Sequence, residues 1–495
     1  MKARITVDRE NIIGKIDRRI YGSFIEHLGR AVYNGIYEPT HKDADDMGFR
    51  SDVLELVKEL KVPLVRYPGG NFVSGYNWED GIGDKSKRPK KLDLAWLSVE
   101  TNQVGIDEFQ EWAKRADAEI MMAVNLGTRG PDEARSLIEY CNGTTDTYYA
   151  NLRRQNGFEK PFNIKLWCLG NEMDGDWQIC HKTAEEYGRA ATECAKVLRW
   201  VDPSVELVAC GSSDYNMPTY GEWERTVLDH TYDYIDYLSL HCYYGNREKD
   251  TLNFLARAED MDRFIKNTAK ICDEIKAKKN SSKTVNLSFD EWNIWYRTKD
   301  EEKTAERWQV APHLLEEKYN FEDALLVGCM LNTLLNNCDR VKIGCIAQLV
   351  NVIAPIMTEN GGDAWKQTIF YPYLYASLYG NGNALVPNVQ CESYKSREGY
   401  DVPYLCTTVV DNSEKNEAVV FAINRSLEKD IELDFDLKGF EGYTLSSHTV
   451  LYCEDLNTVN TVDSQRVFPT ECEVNKNEPV ILKKHSWNML VFKKQ

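Results

Sequence analysis

The sequence predicts an α/β protein, a (β/α)8 TIM barrel followed by a C-terminal antiparallel β-sandwich of jelly-roll type, on three observations. From Ile20 to about Tyr379, short apolar runs alternate eight times with amphipathic ones over about 330 residues, the pattern of strand–helix units around a parallel sheet. After Tyr379 the texture changes to short β-rich runs separated by turn residues such as Asp411-Asn412-Ser413, with no helical period, as in a sandwich. The first strand-to-helix loop lacks the G-x-G-x-x-G of a dinucleotide-binding open sheet, which favours closure into a barrel.

Taken in order, residues 2–8 alternate as a strand and stand apart from the next apolar run, so the segment 1–14 is expected to join the sandwich. The barrel is assigned to 15–382, with strands at 20–24, 64–67, 120–125, 163–169, 206–210, 235–241, 285–289 and 341–347. Helices with apolar residues at three- and four-residue spacing fall between them, for example at 51–60, 106–116, 184–200, 261–278 and 321–336. The sandwich takes 383–495, with strands around Val409 and at 418–424, 431–437, 444–452, 480–482 and 489–492.

The balance of 60 basic and 78 acidic residues gives a net charge of −18, which argues against nucleic acid or an anionic membrane as partner and favours a neutral substrate. The opening MKARITVDRE has no apolar export core, and no run of about 18 apolar residues occurs. Fourteen cysteines are scattered through predicted strands and helices without a C-x-x-C pair, as expected of reduced core residues in a cytoplasmic protein.

In a parallel barrel, functional side chains gather at the C-terminal strand ends. Those ends carry Glu26 and His27, Arg66 to Asn71, Asn171 and Glu172, His241 to Tyr244, Glu291 and Trp292, and Gln348. Glu172 and Glu291 end strands three places apart in the ring and so face each other across its mouth. Opposed carboxylates suit glycoside hydrolysis, one protonating the leaving oxygen and the other attacking. An arginine beside one would keep it ionised, and an aromatic setting such as Trp167 and Trp177 would keep the other protonated. Asn71, Asn171 and Gln348 match sugar hydroxyls, and Trp96, Tyr243 and Trp295 match sugar C–H faces. Asp290, one residue before Glu291, is expected to point to the opposite side of its strand. Other readings of the same inventory are an endo-acting β-glucanase or xylanase, a non-catalytic carbohydrate-binding protein, and a metal-dependent sugar isomerase using His27, His241 and Glu26. No H-E-x-x-H or cysteine cluster supports a metal.

The runs YGSFIEHLGRAVYNGIYEP, VRYPGGNFVSGYNWEDGIG, LWCLGNEMDGDWQ, LSLHCYYGN, LSFDEWNIWY and AQLVNVIAPIMTENGG resemble the α-L-arabinofuranosidases of glycoside hydrolase family 51, from about Ile20 through Tyr379. The resemblance implies a retaining double displacement with Glu172 as acid/base and Glu291 as nucleophile. It further implies substrate contacts from Glu26, Asn71, Asn171, Tyr243 and Gln348, with Arg66 beside the nucleophile and His241, Trp96 and Trp295 in support. The implied substrate is a terminal α-L-arabinofuranosyl group on arabinoxylan or arabinan oligosaccharides, with no cofactor or metal and a homo-oligomer, often a hexamer. Asp176 and Cys180 stand where the family pattern has proline and glycine, and Cys242 replaces a larger polar residue. These departures bear on linkage preference rather than on the reaction.

Overall fold

The computed structural model describes residues 1–300, 304–475 and 478–494. Eight parallel strands close into a barrel: β1 (Gly22–Phe24), β2 (Leu64–Tyr67), β3 (Glu119–Ala123), β4 (Leu166–Leu169), β5 (Glu206–Cys210), β6 (Tyr237–Tyr244), β7 (Asn286–Ile294) and β8 (Val341–Ala347). Neighbours in sequence are neighbours in the ring, and β8 closes on β1 through Cys345↔Gly22 to Ala347↔Phe24. β2, β4, β5 and β8 are almost wholly buried, which is why they read as unbroken apolar runs rather than as alternation.

Four strands depart most from the sequence expectation. β1 is shorter, because Arg18–Tyr21 forms a 3-10 turn started by the Asp17 carboxylate, which accepts from the Arg19 N–H. β4 starts late, because Asn163 takes a left-handed conformation (φ 58°) and interrupts the extended chain. β6 and β7 run on past the apolar stretches that announced them, paired from His241↔Glu291 to Tyr244↔Ile294. The backbone ladder continues there while the side chains turn polar, so hydrophobicity marks the strands but not their functional ends.

Beyond the barrel, the described residues form two larger sheets and three two-stranded ones; the larger two build the second layer. One is ordered Asn388–Gln390, Lys2–Asp8, Ile431–Lys438, Val480–Leu482. The other has seven strands and includes Ile12–Lys15, Leu405–Asn412, Glu417–Asn424, Ser486–Lys494 and Tyr443–Leu451. The N-terminal segment therefore supplies one strand to each. Ala418, Val420 and Ala422 face the smaller sheet in a shared core with Ile5 and Leu433. The alternate residues Val419, Phe421 and Ile423 pack into the barrel's core instead. Both faces of that strand are thus buried, and so is every residue of the helix Phe321–Leu335 against which it lies. A helix apolar on all sides belongs between two layers, and this one is sandwiched by barrel and sheet. No helix among the described residues is long and apolar enough to cross a membrane.

Candidate active site

Glu172 leaves β4 through a sharp turn: Gly170 has φ 87° and Glu172 itself φ 44°. A non-glycine residue in the left-handed region is uncommon, and such strain collects at functional sites. The turn aims Glu172 into the barrel mouth, where its Oε1 meets His241 Nδ1 at 2.8 Å and its Oε2 accepts from the Trp177 indole at 2.7 Å. Trp167 is not part of this setting. It is buried in the core with its indole N–H on the Ile164 carbonyl.

Glu291 lies opposite on β7 and is held by different partners. Arg66 Nη1 donates to Oε1 at 2.6 Å and the Tyr243 hydroxyl to Oε2 at 2.7 Å. The other arm of Arg66 donates to Asn171 Oδ1 at 2.6 Å, and its guanidinium sits 4.8 Å from the Phe24 ring centre. One planar group thereby fixes the nucleophile candidate and the amide beside Glu172 at once. The Asn171 amide reaches Asn71 Oδ1 at 3.4 Å. Glu172, His241 and Glu291 each place a side-chain nitrogen or oxygen within 4.8 Å of the others.

Glu26 forms a second, drier end of the site. Its Oε1 accepts from the Phe72 N–H at 2.8 Å and the Trp96 indole at 2.9 Å, and Gln348 Nε2 lies 3.4 Å from Oε2. Burial pushes its carboxyl up to about 8; the two N–H donors oppose this, and the nearby Glu291 adds to it. Glu26 is therefore mostly neutral at pH 7 and can donate as well as accept. Gly70 makes this packing possible, because a Cβ there would stand 2.8 Å from Glu26 Oε2. Trp295 meets Tyr243 edge-on at 5.5 Å.

The structure corrects the expectation for Asp290. Ser239 pairs with Ser288 but His241 with Glu291, and Phe289 pairs with Gly344 but Trp292 with Ile346. β7 thus carries one residue more than either neighbour between those pairs, a β-bulge, which re-aims side chains at active sites. Asp290 turns inward together with Glu291 instead of away from it. It is fully buried, accepts from the Ser239 hydroxyl, and stands 3.2 Å from His241 Nε2 and 3.7 Å from Arg66 Nε. Burial works against its charge, but His241 and Arg66 hold its carboxyl below the ordinary range. A carboxylate inside a strand as apolar as NLSFDEWNI was the available signal, and simple alternation hid it.

For His241, burial would favour the neutral ring, yet Glu291, Asp290 and Glu172 together push it up to about 10. The three carboxylates thus favour the imidazolium over the neutral ring. His27 is elsewhere: its Nδ1 faces Glu100 at 2.9 Å and its Nε2 the Tyr67 hydroxyl at 2.9 Å. The His27, His241 and Glu26 set considered for a metal is therefore not assembled.

The chain is similar to known proteins along its whole length. The α-L-arabinofuranosidase 1 domain family matches residues 56–263, and the α-L-arabinofuranosidase C-terminal domain family matches residues 290–486. The chain is 55% identical over 498 residues to the intracellular exo-α-(1→5)-L-arabinofuranosidase 1 of Bacillus subtilis, covering 100% of this chain and 99% of that protein. It is 59% identical over 460 residues to the intracellular exo-α-(1→5)-L-arabinofuranosidase of Halalkalibacterium halodurans, covering 93% and 92%. Among solved structures, a family 51 α-L-arabinofuranosidase from Bifidobacterium longum superposes with a TM-score of 0.95 at 43% identity, covering 99% of both chains. With both family domains present and identity above one half along its whole length, the chain belongs to the family 51 α-L-arabinofuranosidases of the glycoside hydrolases.

Proposed function

We infer that the protein is a retaining, exo-acting α-L-arabinofuranosidase that removes terminal α-L-arabinofuranosyl groups from arabinan and arabinoxylan oligosaccharides. The observation that carries the mechanism is the pair of opposed carboxylates whose oxygens approach within 4.8 Å. That spacing favours retention, for which the carboxyl groups stand about 5–5.5 Å apart, over inversion at about 6.5–9.5 Å.

In the first step, Glu291 attacks the anomeric carbon, the bond to the leaving oxygen breaks, and Glu172 gives that oxygen its proton. Water, deprotonated by Glu172, then attacks the same carbon and releases Glu291. The charges suit these roles. Arg66 and His241 offset the charges of Asp290 and Glu291 at the floor of the site. Arg66 and Tyr243 keep Glu291 oriented, while Glu26, Asn71, Asn171 and Gln348 surround the sugar hydroxyls. Trp96 holds Glu26, and Trp295 packs against Tyr243. The names of the two bacterial relatives support exo action, an α-(1→5) preference and an intracellular setting. A homo-oligomer, hexameric by family resemblance, belongs to the same reading and is measurable by light scattering.

The test is release of nitrophenol from the α-L-arabinofuranoside, β-D-xyloside, β-D-glucoside and β-D-cellobioside, with NMR of the first-formed anomer. Turnover of the arabinofuranoside alone with the α product first is expected; oligosaccharide fragments from polymers, or silence on the arabinofuranoside, would overturn the reading. Glu291→Ala should abolish turnover of every substrate. Glu172→Ala should slow poor leaving groups about 10²- to 10⁴-fold and activated phenols far less.

A further inference from the structure

Asp290 touches neither catalytic carboxylate through a hydrogen bond, yet it lies directly beneath both of the cations that do. His241 presents Nδ1 to Glu172 at 2.8 Å and Nε2 to Asp290 at 3.2 Å. Arg66 presents Nη1 to Glu291 at 2.6 Å and Nε to Asp290 at 3.7 Å. Neither the Arg66 nor the His241 contact with Asp290 is aligned as a hydrogen bond, and Arg66 Nε and His241 Nε2 have no hydrogen-bond partner among the described residues. Both are enclosed, with side chains 1% and 3% exposed. Asp290 therefore meets them as a charge, fixed in place by the Ser239 hydroxyl.

We propose that Asp290 is a positioning residue: from the floor of the site it anchors His241 against the acid/base and Arg66 against the nucleophile, and the bulge in β7 exists to bring it there. The inference rests on the roles given above to Glu172 and Glu291. A buried cation without a counter-charge is costly. Without Asp290, His241 and Arg66 would have only the two reacting carboxylates to neutralise them. Each would then hold its glutamate more tightly in the ground state and resist the change of charge that the reaction requires. Placing one extra anion below loosens the hold of His241 on Glu172 and of Arg66 on Glu291, so that each glutamate can change its charge as the reaction requires.

The experiment is Asp290→Asn, which keeps the shape and removes the charge, measured against aryl arabinofuranosides of graded leaving group. Competent sites are counted by the burst of dinitrophenol, so that misfolded protein does not enter the rate. Per titrated site, the expected result is a loss of about 10²-fold on poor leaving groups and a smaller loss on activated ones. The steeper leaving-group dependence reports the His241–Glu172 arm, and the residual loss on activated phenols the Arg66–Glu291 arm. Ser239→Ala, which frees Asp290 but leaves its charge, should show the same pattern more weakly. An unchanged rate per titrated site, or one lowered equally for all leaving groups in both variants, would overturn the proposal. Silence of the native enzyme on arabinofuranosides would instead overturn the functional reading on which it stands.

Discussion

The Tyr243 hydroxyl donates to Glu291 Oε2 at 2.7 Å while Arg66 takes Oε1 at 2.6 Å, so the nucleophile has a donor on each oxygen and one fixed orientation. As Glu291 bonds to the sugar, the oxygen that does not attack keeps its donor. Tyr243→Phe removes that donor at little change of shape. We expect kcat/KM to fall about 10²-fold, equally for good and poor leaving groups, because protonation by Glu172 is untouched. A loss confined to poor leaving groups would place Tyr243 on the acid's side instead.

Glu26 has its carboxyl raised from an ordinary 4.5 to about 8 by burial. The folded state then binds a proton that the unfolded chain has released, and its stability falls as pH rises through that interval. Glu26→Gln removes the titration. Denaturation midpoints of the two proteins between pH 5 and 8 should therefore shift progressively in favour of the variant as pH rises. Parallel curves would show that Glu26 is ionised throughout. The variant should also raise KM, since the group faces the sugar hydroxyls.

At Gly70, an added methyl would lie 2.8 Å from Glu26 Oε2 and 3.1 Å from Oε1. Gly70→Ala should push the Glu26 carboxylate off its Phe72 and Trp96 donors. We expect KM for the arabinofuranoside to rise at least about tenfold, the equivalent of about 1.4 kcal/mol, while circular dichroism stays unchanged. Wild-type KM would mean that Glu26 does not grip the substrate.

Cys180 holds a left-handed conformation (φ 57°) where the family pattern has glycine. A side chain in this region costs about 1–2 kcal/mol, against roughly 0.5–1 kcal/mol of extra chain entropy lost by glycine. Cys180→Gly should accordingly stabilise by about 0.5–1 kcal/mol and raise Tm by about 0.5–1 °C. A scanning calorimetry trace with a lower Tm would show that the exposed thiol makes a contact of its own.

Strands such as 64–67, 206–210 and 341–347 are legible in the sequence end to end, because burial on both faces makes each an apolar block. Glu172 and Glu291 were legible too, since a charged residue closing such a block has few other reasons to be there. What escaped were events of the backbone. The bulge that turns Asp290 inward leaves no mark in side-chain period, and the left-handed Asn163 that delays β4 is one polar residue among many. Trp167 escaped for a third reason: composition places an aromatic near Glu172, but Trp167 lies inside β4 and is buried in the core, whereas the turn after the strand brings Trp177 to Glu172.

The strand Lys2–Asp8 is synthesised long before its parallel partner Ile431–Lys438. The Met1 amino group itself rests on the carbonyl of Asp430, 429 residues away. At about 5–20 residues per second, this strand waits tens of seconds for its neighbour while the whole barrel is made. During that time it is an unpaired edge with Ala3, Ile5 and Val7 uncovered. Lys2, Arg4 and Asp8 alternate with them and, once folded, meet Glu432, Asp434 and Lys438. Charges on an unpaired edge disfavour its pairing with another copy. The charges that guard this strand while it is unpaired are the ones that anchor it once its partner arrives.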